Sequence, residues 1–438
     1  MAPFFVALLF ISSVPLVDAI FIARVGADQL VAFAFVIPAT SIVFSALMGL
    51  GQGITAEISN AVGRNESTRA SEIARAAIWL AVVVGCALGL IGLVAGERLI
   101  QVIGATKEQA GLAFDYFSIW SVGLALPAVC FAGSAALRGR GDIRSSLTIM
   151  MASAGVNLAL DPILIFGLGP IPAMGIEGAA LASVIAYACS CAVTLRKMRS
   201  DEILRSASRP PIDVVLTDAR QVASVGVFGA TSQLLLALSL GVATRLISQY
   251  GPDAVSALAV AGRVEGMIMV MPLALGGPLA PVIGMAWGGR DLTIVREGIR
   301  FGLGAGALWG AIVGGAMIAV SGSIAVALTP DPATAADLAL ALSVLPIGYA
   351  FTAATRLSVS VLVAIQHARD GLLIVGARTL VVLPGLAYLG GAQGGLAGML
   401  MGIAVVDAAS VALALLMLRR AVAAAAREGA TMMAAPAE

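Results

Sequence analysis

Two carboxylates occur inside segments of the chain that are otherwise almost entirely apolar. Asp18 and Asp161 each lie eight residues before a glycine at the end of an apolar segment, so helices would place both acids at a similar depth. Asn157 lies four residues before Asp161, on the same face of a helix. Tyr116, near the start of an apolar segment that runs in the opposite direction, would bring a hydroxyl group to that level. Buried acids close together favour a proton acceptor or a cation site, because desolvation and like charge both oppose ionisation.

A structural role for the two acids is the alternative. Pro162 has no amide hydrogen and leaves the carbonyl of Leu158 without its helical partner, so Asp161 could hydrogen-bond locally around this proline. Asp18 could face a loop if its helix ended early. The matching distance of the two acids from the ends of their segments favours a shared site.

The composition indicates that most of the chain is not surrounded by water. Of 438 residues, 60% are hydrophobic and 12% are charged, whereas soluble proteins have about 25% charged residues. A net charge of +1 leaves no basic surplus for a nucleic-acid backbone, so we expect no nucleic-acid partner. The four cysteines lie in apolar runs, and the chain has one histidine. We predict no disulfide framework, no zinc site and no cofactor.

The hydropathy pattern predicts an all-α integral membrane protein. A helix needs about 20 mostly apolar residues to cross the hydrocarbon core. Twelve segments meet this requirement: 3–23, 30–53, 73–96, 112–136, 145–168, 174–196, 221–247, 255–286, 299–327, 336–366, 371–390 and 394–418.

The twelve spans divide into two similar sets of six. Shifting the second half back by 225 positions places Gly251 on Gly26 and Asp253 on Asp28. Two six-helix copies enter the membrane from the same side, so the lobes are expected to be pseudo-symmetric about the membrane normal, with a binding cleft between them. The predicted organisation is an N-terminal lobe at 1–197, a cytoplasmic linker at 198–220, a C-terminal lobe at 221–418 and a cytoplasmic tail at 419–438.

The distribution of basic residues predicts the orientation. Loops after even-numbered spans, together with the tail, hold twenty Lys and Arg residues, Arg378 among them, against four on the opposite side. Short loops rich in these residues stay in the cytoplasm, so both termini are expected there. The first segment lacks a basic start and carries Asp18, which favours a retained helix over a signal peptide. We expect the inner membrane of a bacterium or archaeon.

The second half carries different charges at membrane depth. At the 225-residue shift, Asp18 corresponds to Ala243, so the two halves do not share this acid. Glu265 and Arg356, together with Arg263 and Asp407, lie in second-half spans instead. Ion pairs between helices and contacts with a substrate both remain open. Glu265 and Arg356, with the polar Gln233, are candidates for a substrate pocket.

Five stretches of sequence together resemble the multidrug and toxic compound extrusion (MATE) transporters, and most closely their DinF-like branch. They are VDAIFIARVGADQLVAFAFVIP at 17–38, GLGQGITAEISNAVGR at 49–64, LRGRGDIRSS at 137–146, NLALDPILIFGLG at 157–169 and MGIEGAALASVIA at 174–186. The resemblance extends over essentially the whole chain. It implies an antiporter with two six-helix lobes.

The resemblance also implies roles for the polar residues of the first half. The acid of helix 1 in that family matches Asp18, and the Asn and Asp of helix 5 match Asn157 and Asp161. Tyr116 matches a tyrosine of the same coupling network. A helix 1 proline that is linked to bending matches Pro3, and Pro15 offers a second weak point.

In family members that couple through second-lobe acids, the corresponding positions here are Gln233 and the region of Thr352. Sodium coupling through that lobe is therefore not expected.

The expected activity is export of amphipathic or cationic small molecules in exchange for protons, by alternating access. Sodium ions, bound by Asp18, Asn157 and Asp161, are the alternative coupling ion. We expect a monomer surrounded by membrane lipids.

Two other functions have to be weighed. A lipid or lipid-linked oligosaccharide flippase is the alternative transporter and would favour a strongly basic cavity. An intramembrane aspartyl protease would also need two membrane acids, and GRGD at 139–142 matches a G-x-G-D pattern. Asp142, however, lies among three arginines, which favours a solvated turn.

Overall fold

The computed structural model describes residues 10, 14, 17–200, 212–329 and 331–434. Within these residues the chain is helical apart from short connections, and no strand occurs beyond one isolated bridge between Leu168 and Ile171. The helices are α1 (residues 17–25), α2 (Ala27–Gly63), α3 (Ser67–Ile103), α4 (Lys107–Val122), α5 (Ala125–Gly139), α6 (Ile143–Phe166), α7 (Gly175–Ser200), α8 (Ile212–Ile247), α9 (Pro252–Ile268), α10 (Val270–Gly288), α11 (Leu292–Leu328), α12 (Pro332–Val344), α13 (Tyr349–Ala364), α14 (Ala368–Ala377) and α15 (Leu383–Ala434).

Every predicted span falls on one or two of these helices, and α1 is the described part of the first span. The predicted fold class is confirmed: twelve transmembrane helices in two related halves. Three predicted single spans each consist of two helices, namely α4 with α5, α9 with α10, and α12 with α13. The first of these pairs is bent by 54°. Two further spans share α15, which is kinked at Gly394 and Gly395.

Proline accounts for the break between α9 and α10. Pro272 lies in the first turn of α10 and has no amide hydrogen to give to the carbonyl of Ile268, four residues earlier. The indole nitrogen of Trp309, on α11, donates to that carbonyl at 3.0 Å instead. The break therefore leaves no buried acceptor unpaired at this position, and it is fastened to the neighbouring helix.

The helix boundaries repeat along the chain. Shifting α3 by 225 residues reproduces both ends of α11. The same shift carries the start of α2 to the start of α9, and the end of α2 to the end of α10. Left-handed turn residues also repeat, since Asn65 (φ 61°) corresponds to Arg290 (φ 60°), and Gly141 (φ 86°) corresponds to Gln366 (φ 65°). The two halves therefore share one helical plan.

Close helix contacts at glycine repeat in the same way. A Cβ atom at Gly89 on α3 would lie 2.5 Å from the carbonyl oxygen of Ser121. A Cβ atom at Gly314 on α11, 225 residues later, would lie 2.6 Å from the carbonyl oxygen of Pro346. Small residues at these positions let the backbones of adjacent helices approach closely, as is common in membranes.

The chain divides into two compact units, Met1–Ala230 and Thr231–Glu438. The beginning of α8 belongs to the first unit and is held there by polar contacts. Arg69 forms a two-point ion pair with Asp218, one bond of which is 3.0 Å long, and Gln221 Nε2 donates to Glu57 Oε2 at 2.7 Å. Each unit has its own hydrophobic core.

Adjacent glycines on α11 test the close helix contact. Gly314→Ala places a methyl group against the Pro346 carbonyl, and such overpacking costs about 1–3 kcal/mol. Gly315→Ala is the matched control, because a Cβ atom there has nothing within 4 Å. We expect thermal unfolding in detergent to show a lower melting temperature for Gly314→Ala alone. Equal melting temperatures for the two variants would contradict the contact.

Candidate functional site

The carboxyl groups of Asp18 and Asp161 lie next to each other inside the first unit. Asp18 is 8% exposed and Asp161 is 0% exposed, so both acids are withdrawn from the surroundings of the unit. Asp18 lies in α1, and Asp161 lies near the end of α6. Two buried carboxylates at this separation repel strongly unless a proton or another cation lies between them.

Aromatic packing holds α1 against α6. Phe21, three residues after Asp18, contacts Phe166 edge-to-face with ring centroids 5.8 Å apart. Phe166 is the last residue of α6, five positions after Asp161. The contact fixes the register of the two helices, so that their acids meet.

Hydrogen bonds extend the carboxyl pair toward α7 and α4. Asn157 Nδ2 donates to Asp161 Oδ1 at 3.4 Å and to the Ser183 hydroxyl oxygen at 3.3 Å. The Tyr116 hydroxyl also lies near Ser183. We call Asp18, Asp161, Asn157, Ser183 and Tyr116 the carboxyl cluster. Its members come from α1, α4, α6 and α7.

Close packing and a cap place α7 beside the cluster. A Cβ atom at Gly178 would lie 2.4 Å from the carbonyl oxygen of Leu164, so α6 and α7 touch at backbone distance. The first turn of α7 is capped from α2, because the Ile176 amide donates to Gln29 Oε1 at 2.9 Å. Ser183 is therefore held at the level of Asn157.

Three oxygen atoms of the carboxyl cluster are buried without a hydrogen-bond partner among the described residues. They are Asp18 Oδ1, Asp161 Oδ2 and Asn157 Oδ1. Leaving buried acceptors unpaired costs about 1–3 kcal/mol each, and more when they are charged. Oxygen atoms of this kind can accept a proton or bind a small cation.

The structure brings together all four coupling residues proposed from the sequence and adds Ser183. Asp161 reaches across to α1 instead of bonding only around Pro162. Ser183 lies within MGIEGAALASVIA, but a serine in a membrane helix is too common to stand out by residue type. Pro3 and Pro15 lie outside the described residues.

The second unit carries an ion pair that the sequence analysis misplaced. Arg378 was counted with the cytoplasmic loop cations, but it lies in a π-helical turn between α14 and α15 and binds Asp407. Its Nε and one terminal nitrogen donate to the two carboxylate oxygens at 2.7 and 2.9 Å. Thr352 donates to the same carboxylate at 2.8 Å, and Ser239 accepts from Arg378 at 3.1 Å. The partner charge explains why an arginine tolerates this depth.

The other second-half candidates form a looser pair. Arg356 on α13 and Glu265 on α9 lie 3.5 Å apart, and their side chains are 44% and 31% exposed. Gln233 lies on α8, two residues before Leu235, whose carbonyl accepts from Ser239 and Thr379. Of the two alternatives left open by the sequence, the ion pair is observed for Glu265 and Arg356.

A scan against protein families decides the relationship of this chain. The MatE family model matches it twice, at residues 3–163 and 229–389. The chain belongs to the MatE family. The two matches begin 226 residues apart, which agrees with the repeated helix boundaries. This is a family of transporters, so the chain is an integral multi-pass membrane transporter and not an enzyme.

Individual relatives are similar over most of the chain. It is 25% identical over 405 residues to a protein named FAD transporter from Shewanella oneidensis, covering 92% of this chain and 90% of that one. It is 23% identical over 301 residues to the probable multidrug resistance protein YoeA of Bacillus subtilis, covering 67% and 63%. The crystal structure of the Vibrio cholerae MATE transporter VcmN in the bent form superposes with a TM-score of 0.90 at 25% identity, covering 97% and 95%.

The G-x-G-D match has a structural explanation. Asp142 is the N-cap of α6, where its Oδ1 accepts from the Ser145 amide at 2.9 Å. Capping satisfies one of the free amides at the helix start. Asp142 therefore serves the fold, in agreement with a transporter.

The Arg378–Asp407 pair yields a stability prediction. Asp407→Ala leaves a buried guanidinium without its carboxylate, which typically costs about 3–5 kcal/mol. The double variant Arg378→Met with Asp407→Leu removes both charges, and we expect it to be more stable than Asp407→Ala. Melting temperatures in detergent measure both effects, with Glu265→Gln as the control for a half-exposed pair. A double variant as unstable as Asp407→Ala would show that the charges are not compensating each other.

Proposed function

We propose that this chain is a secondary active multidrug efflux antiporter that exports amphipathic or cationic small molecules in exchange for protons by alternating access. The observation that carries the proposal is the contact between the buried carboxyl groups of Asp18 and Asp161. The family assignment supports a transporter, and relatives such as YoeA bear a multidrug resistance name. Both termini are proposed to lie in the cytoplasm.

Protons are the favoured coupling ion. Neighbouring buried carboxyl groups bind a proton readily, because one proton removes the repulsion between two negative charges. Removing that proton leaves two negative charges in a buried site, and the pair must separate or gain a cation. Protonation and geometry are thus linked at Asp18, which lies on α1.

The linkage suggests how exchange works. If the protonated pair draws α1 toward α6, deprotonation releases α1 and changes the space beside it. Suppose that a substrate binds only when α1 is released. Bound substrate then lowers the affinity of the carboxyl pair for protons, and bound protons lower the affinity for substrate by the same factor. Pro3 and Pro15 are the proposed bending points of helix 1.

Sodium is the alternative coupling ion. The three unpartnered oxygens of Asp18, Asp161 and Asn157 are of the type that hard cations prefer. A single proton, by contrast, is enough to remove the repulsion between the two acids. We therefore propose the proton.

Replacing each acid tests the assignment. Asp18→Asn and Asp161→Asn keep side-chain volume but cannot release a proton, so we expect both variants to lose gradient-driven ethidium efflux from proteoliposomes. Asp115→Asn is the matched control, because this exposed acid lies beside Tyr116 but outside the carboxyl cluster.

Two imposed gradients separate the coupling ions. A pH gradient without sodium is expected to drive efflux by the wild-type chain, and a sodium gradient at constant pH is not. Efflux driven by a sodium gradient alone would contradict proton coupling and would assign sodium as the ion bound by the same residues. Full efflux by both Asn variants would refute the role of the carboxyl cluster.

A flavin nucleotide is the second candidate cargo. The Shewanella oneidensis relative is named FAD transporter. In this chain the guanidinium of Arg356 is partly exposed and lies 3.5 Å from the carboxylate of Glu265. Guanidinium groups suit phosphate recognition. If flavin nucleotides are exported, Arg356→Ala should slow FAD efflux from loaded proteoliposomes but not ethidium efflux. Arg263→Ala, on the same helix as Glu265, is the control.

A further inference from the structure

Two cysteines of the first unit face each other across neighbouring helices. Cys130 lies on α5 and Cys191 on α7, and each is nine residues before the end of its helix. Cys130 is 4% exposed, and Cys191 is half-buried. The sequence placed these residues in separate apolar runs and gave no reason to pair them.

The contact follows from the hydrogen bond of Cys130. Its sulfur atom lies 3.4 Å from the carbonyl oxygen of Tyr187 and donates to it. In an α-helix, that oxygen points toward the amide of the residue four positions later, which is Cys191. The sulfur of Cys130 is therefore beside the first atoms of the Cys191 side chain, which makes the two thiols neighbours.

The other two cysteines lack this arrangement. Cys86 on α3 and Cys189 on α7 are both exposed. Cys189 is two positions from Cys191, which turns its side chain to a different side of the helix. The chain therefore contains one thiol pair in contact and two internal controls.

We propose that Cys130 and Cys191 are a modification site, a vicinal dithiol that a hydroperoxide converts into a disulfide joining α5 to α7. Cys191, which is half-buried, loses its proton and attacks the outer oxygen of the peroxide as a thiolate. The O–O bond breaks, the departing alkoxide takes up a proton, and a sulfenic acid and an alcohol form. The Cys130 sulfur then attacks Cys191, the S–O bond breaks and water leaves. Two thiols are oxidised by two electrons and one peroxide bond is reduced.

The disulfide would lie close to the carboxyl cluster. Tyr187, whose carbonyl binds Cys130, is four residues after Ser183 on α7. A covalent link at Cys191, about two turns from Ser183, restricts movement of α7 against α5. If the transport cycle shifts these helices, as the proposed function requires, oxidation slows export; this part rests on that function.

Chemical mapping tests the site without any transport assay. Purified full-length protein in lipid nanodiscs is treated with tert-butyl hydroperoxide, alkylated and digested for mass spectrometry. We expect a Cys130–Cys191 disulfide that dithiothreitol reverses, while Cys86 and Cys189 remain alkylated. No 130–191 link, or a link through Cys189 instead, would overturn the proposal.

Transport then tests the consequence, beginning from reduced protein whose ethidium efflux establishes the proposed function. We expect peroxide to slow efflux several-fold in the wild type and in Cys86→Ala and Cys189→Ala. Cys130→Ala and Cys191→Ala should be insensitive. Full efflux by protein carrying the mapped disulfide, or slowing that persists in Cys130→Ala, would contradict the link between the disulfide and helix movement.

Discussion

The contact between two carboxyl groups away from water is the constraint on which the first unit depends. Asp18 and Asp161 cannot both be ionised there without a positive charge between them. The packing of the first unit keeps the two acids close together. The contact between Phe21 and Phe166 fixes the register of α1 and α6. The Gln29 cap and the close approach at Gly178 hold α7 against α2 and α6. We propose that this charge-dependent contact on α1 converts an ion gradient into helix movement.

The two halves share their helix arrangement but differ in their buried charged residues. Helix boundaries, left-handed turns and glycine contacts recur after 225 residues, yet Asp18 and Asp161 correspond to Ala243 and Leu386. The second unit instead has the neutral Arg378–Asp407 pair, in which carboxylate and guanidinium satisfy each other. The packing framework is symmetric because both copies cross the same bilayer. The pair of neighbouring acids occurs in one copy only, so the proposed coupling would take place in the first unit.

The sequence predicts the features that the bilayer penalises. The spans stand out because a helix must be long and apolar to cross the hydrocarbon core, and their order shows the duplication. The polar residues stand out because burying them in the membrane is costly; they are Asp18, Asp161, Asn157 and Tyr116. Ser183 could not be found, since a hydroxyl group costs little in a helix. Arg378 was misplaced because counting cations ignores a distant partner such as Asp407. The breaks within spans also escaped prediction, because proline interrupts α9–α10 but is accommodated inside α2 and α6.

Proton release on substrate binding is the most direct test of the carboxyl pair as the coupling element. Ethidium is added to purified protein in weakly buffered detergent solution containing a pH-indicator dye. The account predicts that the wild type releases protons as ethidium binds, and that the Asp161→Asn variant binds without releasing them. Binding without proton release by the wild type, or equal release by both proteins, would contradict it.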